Sequence, residues 1–253
     1  MADPIIEDGV PLTKDDMPQI SSETTGSSLQ TISASLPHPR RRSLRPGSTK
    51  EDTTRRFLEG KLLHISRRYV KKFQPAEDSN SSDVKGYVSM NEIAKDFAEL
   101  IDIVWLSGTP SLQIPYLLNI AGAINTYLPA FQPAPVSTIT LFSKLDHAFT
   151  SLLKGKDTVT GEILPGFSSG KKDGLSKTDK VRLKSLVDDT RLLTVNLIIN
   201  SPLKSDIELE TNKSLDIFGE HDIEVAMIYD QTIVQLGEIM EPGIFLDHPP
   251  SNH

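Results

Sequence analysis

From Leu58 onward, large apolar side chains recur every three or four residues, and each run stops at a Pro or a Gly. That spacing gathers them on one face of an α-helix, whereas a half-buried strand needs strict alternation. The first run is Leu58, Leu62, Ile65, Tyr69 and Phe73, closed by Pro75, with Asp52 or Thr53 as the expected cap. A second helix is announced by Ser89 and Glu92, spaced as a capping box, with Val88 and Ile93 placed as a hydrophobic staple. Its stripe runs from Ile93 through Phe97, Leu100, Ile101, Val104 and Trp105 to a stop at Gly108. A third helix, from about Pro115 to Leu128, is apolar nearly all round and is expected to lie centrally. A fourth starts near Ser137 and ends at Gly155. A fifth starts near Ser176 or Thr178, with Val181, Leu186, Leu193, Leu197 and Ile198 inward, and a last covers about Asp222 to Met240. Residues 203–219 follow neither period.

The expected fold class is therefore all-α, a bundle of about six helices over residues 51–247. Residues 1–50 are expected to be a disordered tail, and 248–253 a loose C-terminal one. The N-terminal stretch is rich in Ser, Thr, Pro and Asp and has no period. It cannot bury enough apolar area to offset an ordering entropy of about 1–2 kcal/mol per residue.

Charge is segregated. Residues 1–39 hold six acids and one Lys, whereas residues 40–72 hold twelve Lys or Arg and three acids. A basic stretch beside an acidic body points to an anionic partner or to docking on the chain's own acidic surface. Arg67, Arg68, Lys71 and Lys72, in the last turns of the first helix, are the candidate partner-binding residues. The same basic stretch admits weak nucleic-acid contact, or a solvated face. Arg40-Arg41-Arg42-Ser43-Leu44 suits a kinase with an acidic substrate groove, which makes Ser43 the candidate phosphorylation site. It also suits a nuclear-import signal, or an unmodified basic patch.

Several function classes find no support. There is no cysteine, hence no disulfide, zinc–thiolate site or cysteine nucleophile. The six histidines have no metal-ligand spacing. Gly166-Phe167-Ser168-Ser169-Gly170 matches the G-x-S-x-G elbow, but no strand leads into it, and the elbow works only on a strand-to-helix turn. Asp188 and Asp189 are adjacent on a helix and so point in different directions. No catalytic, cofactor-binding or metal residue is assigned, and no small-molecule substrate is expected. No apolar run approaches the length of a membrane span, and no secretory signal is visible, so a cytosolic or nuclear location is expected.

A set of segments, in order, carries a family likeness. They are Arg56-Phe57, then Arg67-Arg68-Tyr69-Val70-Lys71-Lys72-Phe73, Ile101-Asp102-Ile103-Val104-Trp105 and Tyr116-Leu117-Leu118-Asn119-Ile120-Ala121. Leu145-Asp146-His147-Ala148-Phe149 and Lys177-Thr178-Asp179-Lys180-Val181-Arg182 complete the set, which spans roughly residues 55–200. In these the chain resembles the fungal accessory subunit of the general transcription factor TFIIH that is associated with release of its XPB-type helicase. The resemblance implies a non-catalytic nuclear subunit that binds a DNA translocase and lowers its hold on the parent complex. It carries over no contact residue. The competing readings are a nucleic-acid or chromatin-binding module using residues 40–72, and a cytosolic scaffold of an unrelated assembly.

Overall fold

A computed structural model describes residues 35–74, 84–167, 174–199 and 224–240. Six α-helices and no strand are found among them: α1 (Thr49–Lys71), α2 (Met90–Leu106), α3 (Pro110–Tyr127), α4 (Pro135–Lys154), α5 (Lys177–Ile199) and α6 (Asp230–Met240). The all-α class read from periodicity is the fold. α4 packs against α2 and α6, α3 lies against α2 and α5, and α1 rests on α2. The core they share includes Phe97, Trp105, Leu117, Phe142 and Phe149, each almost fully buried.

Local signals set most of the boundaries. Ser89 caps α2 as its spacing with Glu92 predicts, accepting the Glu92 N–H at 3.4 Å. The staple does not form: Val88 is exposed, and Tyr87 points inward instead, because the extended segment before the helix alternates its side chains. Gly155 ends α4 with φ at +69°, a conformation open to glycine, and a Cβ there would also lie 2.8 Å from Phe167. Ser176 and Asp179 form a reciprocal cap for α5.

Two helix starts and the details of one inward face differ from expectation, and the last helix, expected from about Asp222, runs from Asp230 after a turn at 227–229. α1 begins at Thr49, capped by Ser48, which accepts the Glu51 N–H at 3.3 Å. The signal was Ser48-x-x-Glu51, upstream of the first apolar residue. α3 begins at Pro110, so Pro115 falls inside it. Leu112 and Ile114 are buried, and Pro115 is exposed, so the Ser111 carbonyl that loses its partner can meet water. On α5, Leu186, Leu193 and Leu197 pack against the core as expected, but the most buried residues are Leu183, Val187, Thr190 and Thr194, and Val181 is exposed. The two threonines donate back to carbonyls four residues earlier, which lets them sit inside. Residues 203–219 and 248–253 lie outside the described residues, as do 1–34 of the expected tail.

Residues 35–48, assigned to that tail by composition, run along the helical body as an extended strap. Leu44 is buried, and its N–H donates to Thr109 Oγ1 at 2.8 Å. The Gly47 N–H donates to Glu51 Oε2 at 2.7 Å, and Ser111 Oγ donates to the other oxygen of that buried carboxylate. Gly108, at φ +52°, leaves room for Arg40, whose side chain a Cβ there would meet at 2.7 Å.

Candidate interaction face

α1 is 23 residues long, about 35 Å at 1.5 Å per residue. It buries Glu51, Leu58 and Ile65. On the opposite side, Arg56, Leu63, Arg67 and Val70 follow one another at helical steps of seven, four and three and form a second, outward stripe. Leu63 and Val70 are half exposed, as is Phe57, whose ring carries Lys61 Nζ 5.8 Å from its centroid. Phe73, read as inward, lies past the end of the helix and is 62% exposed. The face is thus cationic and apolar together.

The four candidate cations separate into two kinds. Arg67 is exposed on the outward stripe. Arg68 is committed to the chain's own structure: its guanidinium donates to Asp96 at 2.7 Å and Glu92 at 2.9 Å, and its Nε donates to the Lys85 carbonyl at 3.1 Å. It also stacks 3.9 Å from the centroid of Tyr87. The Tyr87 hydroxyl donates to the same Asp96 oxygen at 2.6 Å. Burial, with the Asp96 carboxylate beside it, pushes the Tyr87 phenol far above its ordinary value, so it stays a donor. Arg68 is therefore the pin between α1 and α2, its charge matched within the chain by Asp96 and Glu92. Lys71 is half-buried in the last turn, and Lys72 lies 4.8 Å from the centroid of Phe131 and 5.5 Å from that of Phe73.

The outward stripe was present in the sequence. The seven-residue step from Leu63 to Val70, with Arg67 between, defines a second helical face that a search for core residues passes over. The internal role of Arg68 had no local signal, because its carboxylates are 24 and 28 residues away on another helix.

The other candidates are not brought together. Gly166 makes a left-handed turn against Pro110, at φ +90°, with no strand leading in, and Ser168 to Gly170 lie outside the described residues. His38 accompanies Glu162, His64 is exposed on α1, and His147 faces Asp157 at 3.3 Å. His221, His248 and His253 are outside the described residues. Among the described residues no cluster of three or more His, Asp or Glu could hold a metal ion, and no helix is long and apolar enough to cross a membrane.

Asp157 organises the loop after α4. Burial pushes its carboxyl up, but the Thr160 and Val159 N–H groups and His147 outweigh burial and hold it below its ordinary value. A carboxyl lowered by folding adds stability above its unfolded pKa, near 3.8, and loses it as pH falls through the lower folded value. Hydrogen exchange in residues 157–164 is accordingly expected to accelerate, relative to the helices, only below about pH 4. Equal loosening in an Asp157→Asn chain would remove the carboxyl as the cause.

Residues 86–237, more than half of the chain, match the family described as subunit 11 of the general transcription factor TFIIH. The chain belongs to that family. An uncharacterised protein of Schizosaccharomyces pombe is 28% identical over 148 residues, covering 56% of this chain and 76% of the relative. No solved structure matches the chain. The family match opens at Gly86, so α2 to α5 and most of α6 form the part shared with TFIIH subunit 11, and α1 with its outward stripe lies before it.

Proposed function

We propose that this chain is a non-catalytic regulatory subunit of TFIIH in the nucleus. It binds the XPB-type DNA helicase and promotes its dissociation from the complex in transcription initiation. Family membership supports a place in TFIIH, and the likeness of residues 55–200 to the helicase-releasing subunit supports the partner. Release requires differential affinity: the subunit must bind the free helicase more tightly than the helicase held in TFIIH. Each tenfold difference shifts the equilibrium by about 1.4 kcal/mol.

The observation that carries the contact is the outward stripe of α1. On the stripe Arg56 and Arg67 supply the charge and Leu63 and Val70 the apolar area, and Lys71, Lys72 and the exposed Phe73 extend it at the C-terminal end of the helix. Capture of purified helicase by the chain is expected to fall at least tenfold in an Arg67→Glu, Lys71→Glu variant with unchanged circular dichroism. Arg68→Ala should behave differently, lowering stability by about 2 kcal/mol because Asp96 and Glu92 lose their cation. Capture unaffected by the double reversal would remove α1 from the interface. Loss of salt-dependent DNA binding with capture intact would make the stripe a nucleic-acid contact instead.

A further inference from the structure

We propose that Ser43 is a phosphorylation site, and that its phosphate releases the strap of residues 36–47 from the helical body. The inference concerns the chain alone and does not depend on the helicase. Arg40, Arg41 and Arg42 are exposed, so the basic determinant that an acidic kinase groove reads is presented to solvent. Ser43 is only half exposed, and the next residue, Leu44, is the buried anchor of the strap. A kinase must grip the chain on both sides of the serine. The same Leu44 cannot be in the kinase groove and beneath the strap at once, so the released strap is the substrate. In the transfer, Ser43 Oγ attacks the γ-phosphorus of ATP. The new O–P bond forms as the bond to ADP breaks, and the hydroxyl proton passes to the base of a basophilic protein kinase.

Re-docking of the product is disfavoured by what surrounds Ser43. It lines a recess of about 670 Å³ shared with Thr109, Ser111, Ile114 and Asp179, and no Lys or Arg lines it among the described residues. The phosphate brings about −1.5 to −2 charges into that recess. Asp179 lies on one wall, and the buried Glu51 carboxylate sits behind Ser111 at 3.2 Å. The start of α3 gives little compensation. Pro110 has no N–H, and the N–H groups of Leu112 and Gln113 are already donated to the Thr109 carbonyl at 2.9 and 2.8 Å. Inside the recess the anion meets like charge and few donors, whereas with the strap released it is hydrated and still within reach of the exposed Arg41, Arg42 and Arg45.

The test is hydrogen exchange by mass spectrometry on the full chain, before and after treatment with a basophilic Ser/Thr kinase and ATP. In the unmodified chain the Leu44 amide is expected to exchange at least tenfold more slowly than in a free peptide of residues 38–48. Phosphorylation should bring it to within about twofold of the peptide, with helix amides unchanged. Ser43→Ala should take up no phosphate there and keep its protection. Thr109→Val, which removes the acceptor for Leu44 without removing a side-chain cap from α3, should speed phosphate uptake severalfold. Full phosphorylation with Leu44 still protected, or more protected, overturns the release. Absence of phosphate on Ser43 even in Thr109→Val overturns the site.

Discussion

Asp146→Ala is expected to undock α6 and to lower the stability of the chain by about 3 kcal/mol, or roughly 6–12 °C in Tm for a domain of this size. The reason lies at the start of the helix. The residue before α6 is Tyr229, which has no short oxygen to cap with and is held at φ +59°, a conformation costly for a residue with a large side chain. Asp146, on α4, takes over the capping role from 86 residues away. Its carboxylate accepts the Thr232 N–H at 2.8 Å, the Thr232 hydroxyl at 2.6 Å and the Gln231 N–H at 3.4 Å. An anion at a helix N-terminus also faces the favourable end of the macrodipole. The same atoms therefore cap α6 and fix it to α4. Removing them leaves the Thr232 N–H buried without an acceptor, and the strained turn at Tyr229 then keeps its local backbone hydrogen bonds and the burial of its ring but loses the carboxylate tie from α4. Exchange of residues 224–240 should rise first and most, with α2 and α3 affected only through the global loss. Asp146→Asn, which keeps one oxygen, should cost less than half as much. A uniform loss of protection across all six helices would show that α6 is not a separate cooperative unit.

The Asp146 cap also illustrates why some of this structure was legible and some was not. The order and number of helices followed from apolar spacing and from stops at Pro and Gly, all of which act within a few residues. The caps Ser89 and Gly155 were legible for the same reason. Asp146 was not, because its partner segment is distant in the chain and nothing in Leu145-Asp146-His147 distinguishes an inward acid from a surface one. The inner face of α5 was legible at Leu186, Leu193 and Leu197 but not at Thr190 and Thr194, whose hydroxyls, satisfied by their own helix and by Asn125, sit inside where an apolar count does not place them.

The candidate face shows the same division. The cationic character of α1 was evident from composition, and Arg67 is exposed on it. Arg68 reads identically in sequence yet is bound to Asp96 and Glu92, because selection between surface and interior was made by acids on α2. Composition alone reads the strap as tail, because the two leucines of residues 35–48, Leu36 and Leu44, are outweighed by its Arg, Ser, Pro, His and Gly. In the fold, the buried Pro39 and Leu44, with the N–H groups of Arg40, Leu44 and Gly47 donated to the helical body, hold the extended segment, and Gly108 lets its backbone approach.

Asp102→Ala is expected to cost about 3 kcal/mol in chemical denaturation, and adding Lys144→Met to it should return most of that loss. Lys144 projects from α4 into the interface with α2, where it is almost wholly buried, and its ammonium donates to both Asp102 oxygens at 2.7 and 2.8 Å. Asp102 itself is about one-third exposed. The pair is therefore asymmetric: the acid can be hydrated, but the lysine cannot. Deleting the acid strands a cation between two helices, and water entering the vacated space offsets only part of the penalty. Deleting the lysine leaves a carboxylate that already meets solvent, so Lys144→Met alone should cost under about 1.5 kcal/mol, within the range of a volume-conserving core change. The double variant replaces an ion pair by an unbranched apolar chain, and such replacements are often neutral or stabilising. A double variant no more stable than Asp102→Ala would mean that the acid acts through something other than the charge of Lys144. If the rescue holds, the pair contributes alignment of α2 with α4 rather than net stability. Because both helices lie in the part shared with TFIIH subunit 11, that alignment sets the frame on which α6 is capped by Asp146.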